Sequence, residues 1–271
     1  MIANARMYAI NDAVAAAWRR LFDWIARAAD VPLGVAGHAA PLPLSDLWQR
    51  SDLGCALMCG FPWASWSTSI ERPTPLVVPI PSPPAFRAQP IYWTDIIVRA
   101  DSGLQSAADL EGLRFAFTVE DSQSGYQAPR NFFADLARMH GGRLFAATVG
   151  PLYTPRRVIE AVIANEADAG PLDAWWHALL RRHEPTLAAR LRTVAATRPT
   201  PIPLVVCSAG VENEVRQRLV AAFERVEGVP ELADVRDSLL LARFARPKTT
   251  DYESLTERAR AADALGYHRL Q

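Results

Sequence analysis

The feature that most limits what this chain can become is a regular exchange of short apolar runs with longer stretches of helical periodicity. Runs such as "GCALMCG" (54–60), "TPLVVPI" (74–80) and "YWTDIIVRA" (92–100) are short and rich in β-branched or aromatic residues, as strands are. Between them lie segments such as "NDAVAAAWRRLFDWIARAA" (11–29). There Asn11 or Asp12 can cap a helix whose one face carries Val14, Trp18, Leu21, Phe22 and Ile25. Strands that alternate with helices along a whole chain make an α/β protein.

The same reading covers the rest of the chain. "ARMYAI" (5–10) reads as the first strand and "SDLWQR" (45–50) as a short helix. Ser106 caps a one-turn helix that Gly112 ends, and "LRFAFT" (113–118) returns as a strand. "YQAPRNFFADLARMHGG" (126–142) is a helix with Phe132, Phe133, Leu136 and Met139 on its apolar side, stopped at Gly141. Thr154 followed by Pro155 opens another helix, with Val158, Val162 and Ile163 facing inward. "EADAGPLDAWWHALLRR" (166–182) runs from strand into a helix whose Trp175 and Trp176 belong in the core. "RPTPIPLVVCSAG" (198–210) is a strand behind a proline-stiffened entry, and the last sixty or so residues read as mostly helical.

Composition excludes some functions. The 271 residues carry 29 basic and 29 acidic side chains, a balance that argues against a nucleic-acid binder. No run is long and apolar enough for a membrane span. There is no P-loop, dinucleotide fingerprint, H-E-x-x-H pair or G-x-S-x-G elbow, so no cofactor and no metal are expected. Cys55, Cys59 and Cys207 are odd in number. The first two face one side of a single strand, a poor geometry for a bridge, and all three read as buried thiols. The N-terminus lacks a basic segment ahead of an apolar one, and Asn11 and Asp12 interrupt it. Two explanations stay open: a cytoplasmic chain or a trimmed mature form.

The stretch with the most chemical promise is "VEDSQSGYQAPR" (119–130), at a strand-to-helix junction. A helix start offers unpaired N–H groups and a positive dipole end to an anion, and Ser122 and Ser124 add hydroxyls. Gly125 would let a ligand approach the backbone. The alternative needs no ligand: Ser124 with Gln127 three residues on is an ordinary capping box. Thr154 and Asp173 divide the same way, each a ligand contact or a plain N-cap.

Six segments in order resemble the phosphate, phosphite and phosphonate binding proteins of ABC transporters. They are "ARMYAINDAV" (5–14), "MCGFPW" (58–63), "IYWTDIIVRADSGLQSAADLEGLRFAF" (91–117), "EDSQSGYQAPRNFF" (120–133), "VIANEADAGPLD" (162–173) and "DYESLTERARAADALGYHRL" (251–270). The resemblance implies the type II periplasmic-binding-protein fold: two α/β lobes, each a mixed sheet flanked by helices, with a ligand cleft at the hinge. Lobe 1 would comprise 1–92 plus 201–271, and lobe 2 would comprise 93–200. It implies a non-catalytic solute-binding protein for a small oxoanion-bearing ligand (a phosphonate, sulfonate or phosphate ester), with an ABC transporter permease as partner and a periplasmic location. Ser122, Ser124, Gly125 and Tyr126 would hold the anion, and Tyr153, Thr154 and Asp173 the far side. Tyr8, Trp63 and Trp93 would form the first-lobe wall. One departure matters: the family's Gly-Ser/Thr-His-Asp-like segment is "GPLYTPRR" (150–157) here, without the histidine. Arg156 or Arg157 either replaces it or is simply solvated. The competing reading is a cytoplasmic enzyme or ligand sensor on the same fold, with acid or base help from Asp173 or Tyr153.

Overall fold

The computed structural model describes residues 1–271. The chain forms two compact units, Met1–Ile91 with Pro201–Thr249, and Tyr92–Thr200 with Thr250–Gln271. The first pass through unit 1 gives strands β1 (Ile2–Asn4), β2 (Gly34–Val35), β3 (Leu53–Met58), β4 (Thr74–Pro81) and β5 (Ile91–Tyr92), the last at the crossing. Helices α1 (Asp12–Ala29), α2 (Leu44–Trp48) and α3 (Gly60–Ala64) lie between them. Unit 2 follows with β6 (Thr94–Arg99), β7 (Arg114–Ala116), β8 (Ala147–Val149), β9 (Ala169–Asp173) and β10 (Leu191–Ala196). Its helices are α4 (Ala128–Met139), α5 (Pro155–Ile163), α6 (Ala174–His183) and α7 (Pro185–Ala188). The chain returns through β11 (Thr200–Pro201) to β12 (Leu204–Cys207), α8 (Asn213–Arg225), α9 (Ala233–Ser238) and β13 (Leu241–Ala245). It ends in unit 2 with α10 (Glu253–Ala264).

Unit 1 is a mixed sheet in the order β13-β4-β12-β3-β1-β2. Its β1, β2 and β3 run parallel, whereas β12 and β13 run antiparallel to their neighbours. Asn11 caps α1 by accepting from the Val14 N–H at 3.0 Å, and the helix buries Val14, Trp18, Leu21, Phe22 and Ile25. Cys55, Cys59 and Cys207 are all buried free thiols, and burial pushes the Cys207 thiol up to about 11.

Three expectations for unit 1 and its boundary need correction. The first strand is Ile2–Asn4, and Arg6–Tyr8 is a 3₁₀ turn. The cause is Asn4, whose side-chain oxygen accepts from the Arg6 N–H at 2.8 Å and turns the chain out of the strand. The segment "LARFA" is strand β13, paired with β4, and interrupts the helical C-terminal stretch. Finally, Thr250–Gln271 belongs with unit 2 and not with lobe 1 as expected. The buried Arg130 of α4 holds it there, donating to Asp263 at 2.6 Å, to the Tyr267 carbonyl at 2.8 Å and to the Ala259 carbonyl at 3.0 Å.

Unit 2 has the sheet order β10-β6-β9-β7-β8, with β7 parallel to both β8 and β9, and β6 antiparallel to β9 and β10. One face is an aromatic core: the Phe115 ring stacks on Phe145 at 4.7 Å and meets Phe133 edge-on at 5.4 Å. Tyr126, Ala262, Tyr267 and Leu270 close this core. On the other face α5 lies against Gly170, where an added Cβ would come within 2.6 Å of Val158. Met139, expected on the buried side of α4, is 71% exposed, and Ala134 and Ala137 take the inward positions.

Burial raises the Tyr126 phenol and pushes the Tyr267 phenol up to about 12. The folded unit therefore holds protons that an unfolded chain, with tyrosines near 10, gives up. Stability from Tyr267 is fully present below about pH 10 and is lost as pH rises toward the folded value. An alkaline titration followed by phenolate absorbance should show Tyr267 ionising together with unfolding of unit 2. Ionisation of Tyr267 at the ordinary tyrosine value in a chain that stays folded would contradict this packing.

Candidate functional site

The parallel strands of unit 2 all end on one edge: β7 runs on to Thr118, β8 to Gly150 and β9 to Asp173. Ligands of open α/β sheets bind outside such carboxyl ends. Each strand here leads into a helix start. Ser122 accepts from the Gly125 N–H at 3.0 Å and opens a π-helical turn, Gln123–Gln127, that continues as α4. Thr154 accepts from the Arg157 N–H at 3.2 Å and opens α5. The Asp173 carboxylate accepts from the Trp175 and Trp176 N–H groups, at 2.9 and 3.0 Å, and opens α6.

Short bonds through Thr118 and Thr94 bring these starts together. The Thr118 carbonyl accepts from the Tyr153 N–H at 3.0 Å, and its own N–H reaches the Gly125 carbonyl at 3.4 Å. Thr94, facing Asp173 across the β6–β9 ladder, donates its hydroxyl to the Ser124 carbonyl at 3.0 Å. Ser122, Ser124, Tyr153, Thr154 and Asp173 thus share one edge of one sheet.

The opening turn differs from its sequence reading. Ser124 is not the cap, because Ser122 is, and Gln127 donates to the Glu120 carbonyl at 2.7 Å, so no capping box forms. Packing alone requires a glycine at 125: a Cβ there would meet the Thr118 hydroxyl at 1.9 Å and its Cβ at 3.0 Å. That Thr118 hydroxyl is buried without a hydrogen-bond partner. Tyr126 turns into the core, edge-on to Phe117 at 5.2 Å, and its hydroxyl accepts from the Leu270 N–H at 3.2 Å. It therefore braces the turn from behind and does not present its hydroxyl to a guest.

Tyr153 stands at the edge, 46% exposed, with φ +64°, a conformation a bulky residue adopts only when its surroundings hold it there. Neither arginine beside it is an unpaired stand-in for the missing histidine. Arg156 makes a two-pronged pair with Glu184 at 2.8 and 2.5 Å, and Arg157 pairs with Glu160 at 3.0 Å.

The remaining aromatics are held within their own units. The Trp93 indole donates to Asp95 at 2.9 Å, and Asp95 bonds the buried His177 Nδ1 at 2.7 Å. Strand alternation turns Trp93 and Asp95 to the face opposite Thr94, away from Ser124. No sequence pattern announced this Trp93–Asp95–His177 cluster, because its acid and imidazole lie 82 residues apart. In unit 1, Tyr8 is buried at the turn after β1. Trp63, also buried, donates its indole N–H to the Pro73 carbonyl at 3.0 Å and carries the Arg72 guanidinium over its ring at 4.2 Å.

A family model described as the phosphonate periplasmic substrate-binding protein of ABC transporters matches residues 10–252. No curated protein matches the sequence. Among solved structures, a binding-protein component of an ABC phosphonate transporter from Pseudomonas aeruginosa is 15% identical, with a TM-score of 0.78 over 98% of this chain and 87% of that one. PhnD1 of Prochlorococcus marinus, in complex with methylphosphonate, is 17% identical, with a TM-score of 0.76 over 97% of this chain and 98% of that one. A Xanthomonas citri protein bound to ATP is 17% identical, with a TM-score of 0.65 over 99% of this chain and 98% of that one. At such identities the likeness to solved structures shows the fold alone, and the two mixed sheets flanked by helices are those of the two-lobed type II periplasmic-binding-protein architecture. With the family model spanning most of its length, the chain belongs to the phosphonate-type periplasmic substrate-binding proteins of ABC transporters.

Proposed function

We propose that the chain captures a small oxoanion-bearing solute, a phosphonate, sulfonate or phosphate ester, at the carboxyl edge of the unit 2 sheet, without altering it, for delivery to an ABC permease. Ser122 and Ser124 are the hydroxyl donors, with Tyr153, Thr154 and Asp173 across from them. Ser122 accepts from Gly125 through a lone pair, so its hydroxyl proton remains to donate. The helix starts add the positive ends of their dipoles, and such preset donors suit an anion.

One observation carries this reading: three locally unfavourable features of unit 2 meet on that single edge. A π-helical turn, a tyrosine at positive φ and a partnerless buried hydroxyl occur at residues 123–127, 153 and 118. Each costs stability, and such features collect where a ligand is held.

A thermal-shift panel of methylphosphonate, methanesulfonate and a phosphate monoester tests the reading. At least one compound should raise the melting temperature reversibly, and Ser124→Ala, which leaves the Ser122 cap intact, should diminish the shift. A panel with no stabilising member, or shifts unchanged in Ser124→Ala, would overturn it.

A further inference from the structure

A chain of hydrogen bonds links the ligand-side turn to the residues by which the chain leaves unit 2. Thr197 lies just beyond β10, three residues before the crossing at Thr200–Pro201. Its hydroxyl accepts from the Thr94 N–H at 3.0 Å, and its own N–H donates to the Thr94 carbonyl at 2.9 Å. Thr94 follows the other crossing at Ile91–Tyr92 and passes the link on, its hydroxyl donating to the Ser124 carbonyl at 3.0 Å. Thr94 is 1% exposed and Thr197 is 7% exposed, so water competes little for the bond between them.

The bond to Ser124 has a specific consequence. In a trans peptide the carbonyl and the following N–H point in opposite directions. Thr94 grips the Ser124 carbonyl, and Ser122 accepts from the Gly125 N–H at 3.0 Å, so both polar ends of the Ser124–Gly125 peptide are held. That peptide adjoins the Ser124 Cα, and fixing its plane narrows the directions open to the Ser124 hydroxyl. Nothing about this contact requires a hydroxyl for packing alone, since valine has the same shape.

We infer that Thr94 is a positioning residue for the oxoanion site. Held by Thr197 at the unit's exit, it orients the Ser124–Gly125 peptide so that the Ser124 hydroxyl meets the ligand. The inference rests on the proposed site at Ser122 and Ser124.

The test is a series at one position, Thr94→Val and Thr94→Ser, in the full chain. Calorimetry with methylphosphonate, methanesulfonate and a phosphate monoester is read alongside hydrogen exchange of the Gly125 amide without ligand. Thr94→Val should weaken binding about ten-fold, the equivalent of one modest hydrogen bond. It should also speed Gly125 exchange, and Thr94→Ser should restore both, because serine keeps the hydroxyl and discards the methyl. A purely structural role would lower stability without this hydroxyl-dependent loss and recovery of affinity. Should Thr94→Val not fold, Thr197→Val removes the support for Thr94 and should weaken binding in the same direction. Unchanged affinity in Thr94→Val, or in Thr197→Val as its substitute, overturns the positioning role. Failure of the unmodified chain to bind any of the three overturns the site itself and the inference with it, and the unmodified chain alone reveals that outcome.

Discussion

Gly125→Ala should destabilise unit 2 by about 3 kcal/mol, the upper range for forcing an extra carbon into a packed site. The new Cβ would lie 1.9 Å from the Thr118 hydroxyl and 3.0 Å from its Cβ, with β7 behind it and the π-helical turn in front. Something must give, and the turn is the softer of the two. Its displacement moves Ser122 and Ser124 together, so oxoanion binding should fall with stability. Thermal unfolding of Gly125→Ala measures the first effect and a titration with methylphosphonate the second. The cause can be isolated in a Thr118→Ala background, where the hydroxyl in the way is gone. There Gly125→Ala should cost less, about 1–2 kcal/mol, since the remaining contacts are the Ser122 Oγ at 2.9 Å and the residue 118 Cβ at 3.0 Å. Equal costs in both backgrounds would show that Thr118 is not what makes glycine necessary.

Arg130→Ala should release the C-terminal segment from unit 2. The Arg130 side chain is 4% exposed and supplies bonds to Asp263, to the Tyr267 and Ala259 carbonyls, and to Gln127 at 3.1 and 3.0 Å. Truncation removes all of these bonds at once, and hydrogen bonds to a charged group are among the stronger ones, so a loss of about 3 kcal/mol or more is expected. The effect should be local first: hydrogen exchange should quicken over residues 250–271 and at the Tyr126 end of α4, where the Leu270 N–H reaches the Tyr126 hydroxyl at 3.2 Å. Arg130→Lys should rescue little, because a single ammonium cannot span the same set of acceptors. Exchange rates over 250–271 that do not change in Arg130→Ala would refute the clamp.

These two residues also mark how far the sequence could be read. β3, β6 and α1 were legible because continuous apolar runs and a clean helical face admit few alternatives, and their side chains are buried accordingly. The caps at Asn11, Thr154 and Asp173 were legible for a similar reason, since each is a short-range bond between neighbours. What escaped depended on distant partners. Nothing local to "DYESLTERARAADALGYHRL" says that it packs against α4 and not within unit 1; the buried arginine that decides it lies more than a hundred residues earlier. The Ser122 turn is legible by position, but its conformation is not. The Ser124 and Gln127 spacing fits a capping box, whereas the chain inserts a residue into a π turn over the Thr118 side chain. The resemblance puts Tyr126 at the ligand, whereas its neighbours in space are Phe117 and Leu270.

The most direct measurement is calorimetric titration of the full chain with methylphosphonate, methanesulfonate and a phosphate monoester, repeated on the Ser122→Ala, Ser124→Ala double variant. Mass spectrometry of the recovered compound accompanies it. The account predicts saturable binding of at least one compound, its recovery unaltered, and a loss of about 1–3 kcal/mol in the double variant. Binding that the double variant leaves untouched, no binding by the unmodified chain, or a compound returned chemically changed would contradict it.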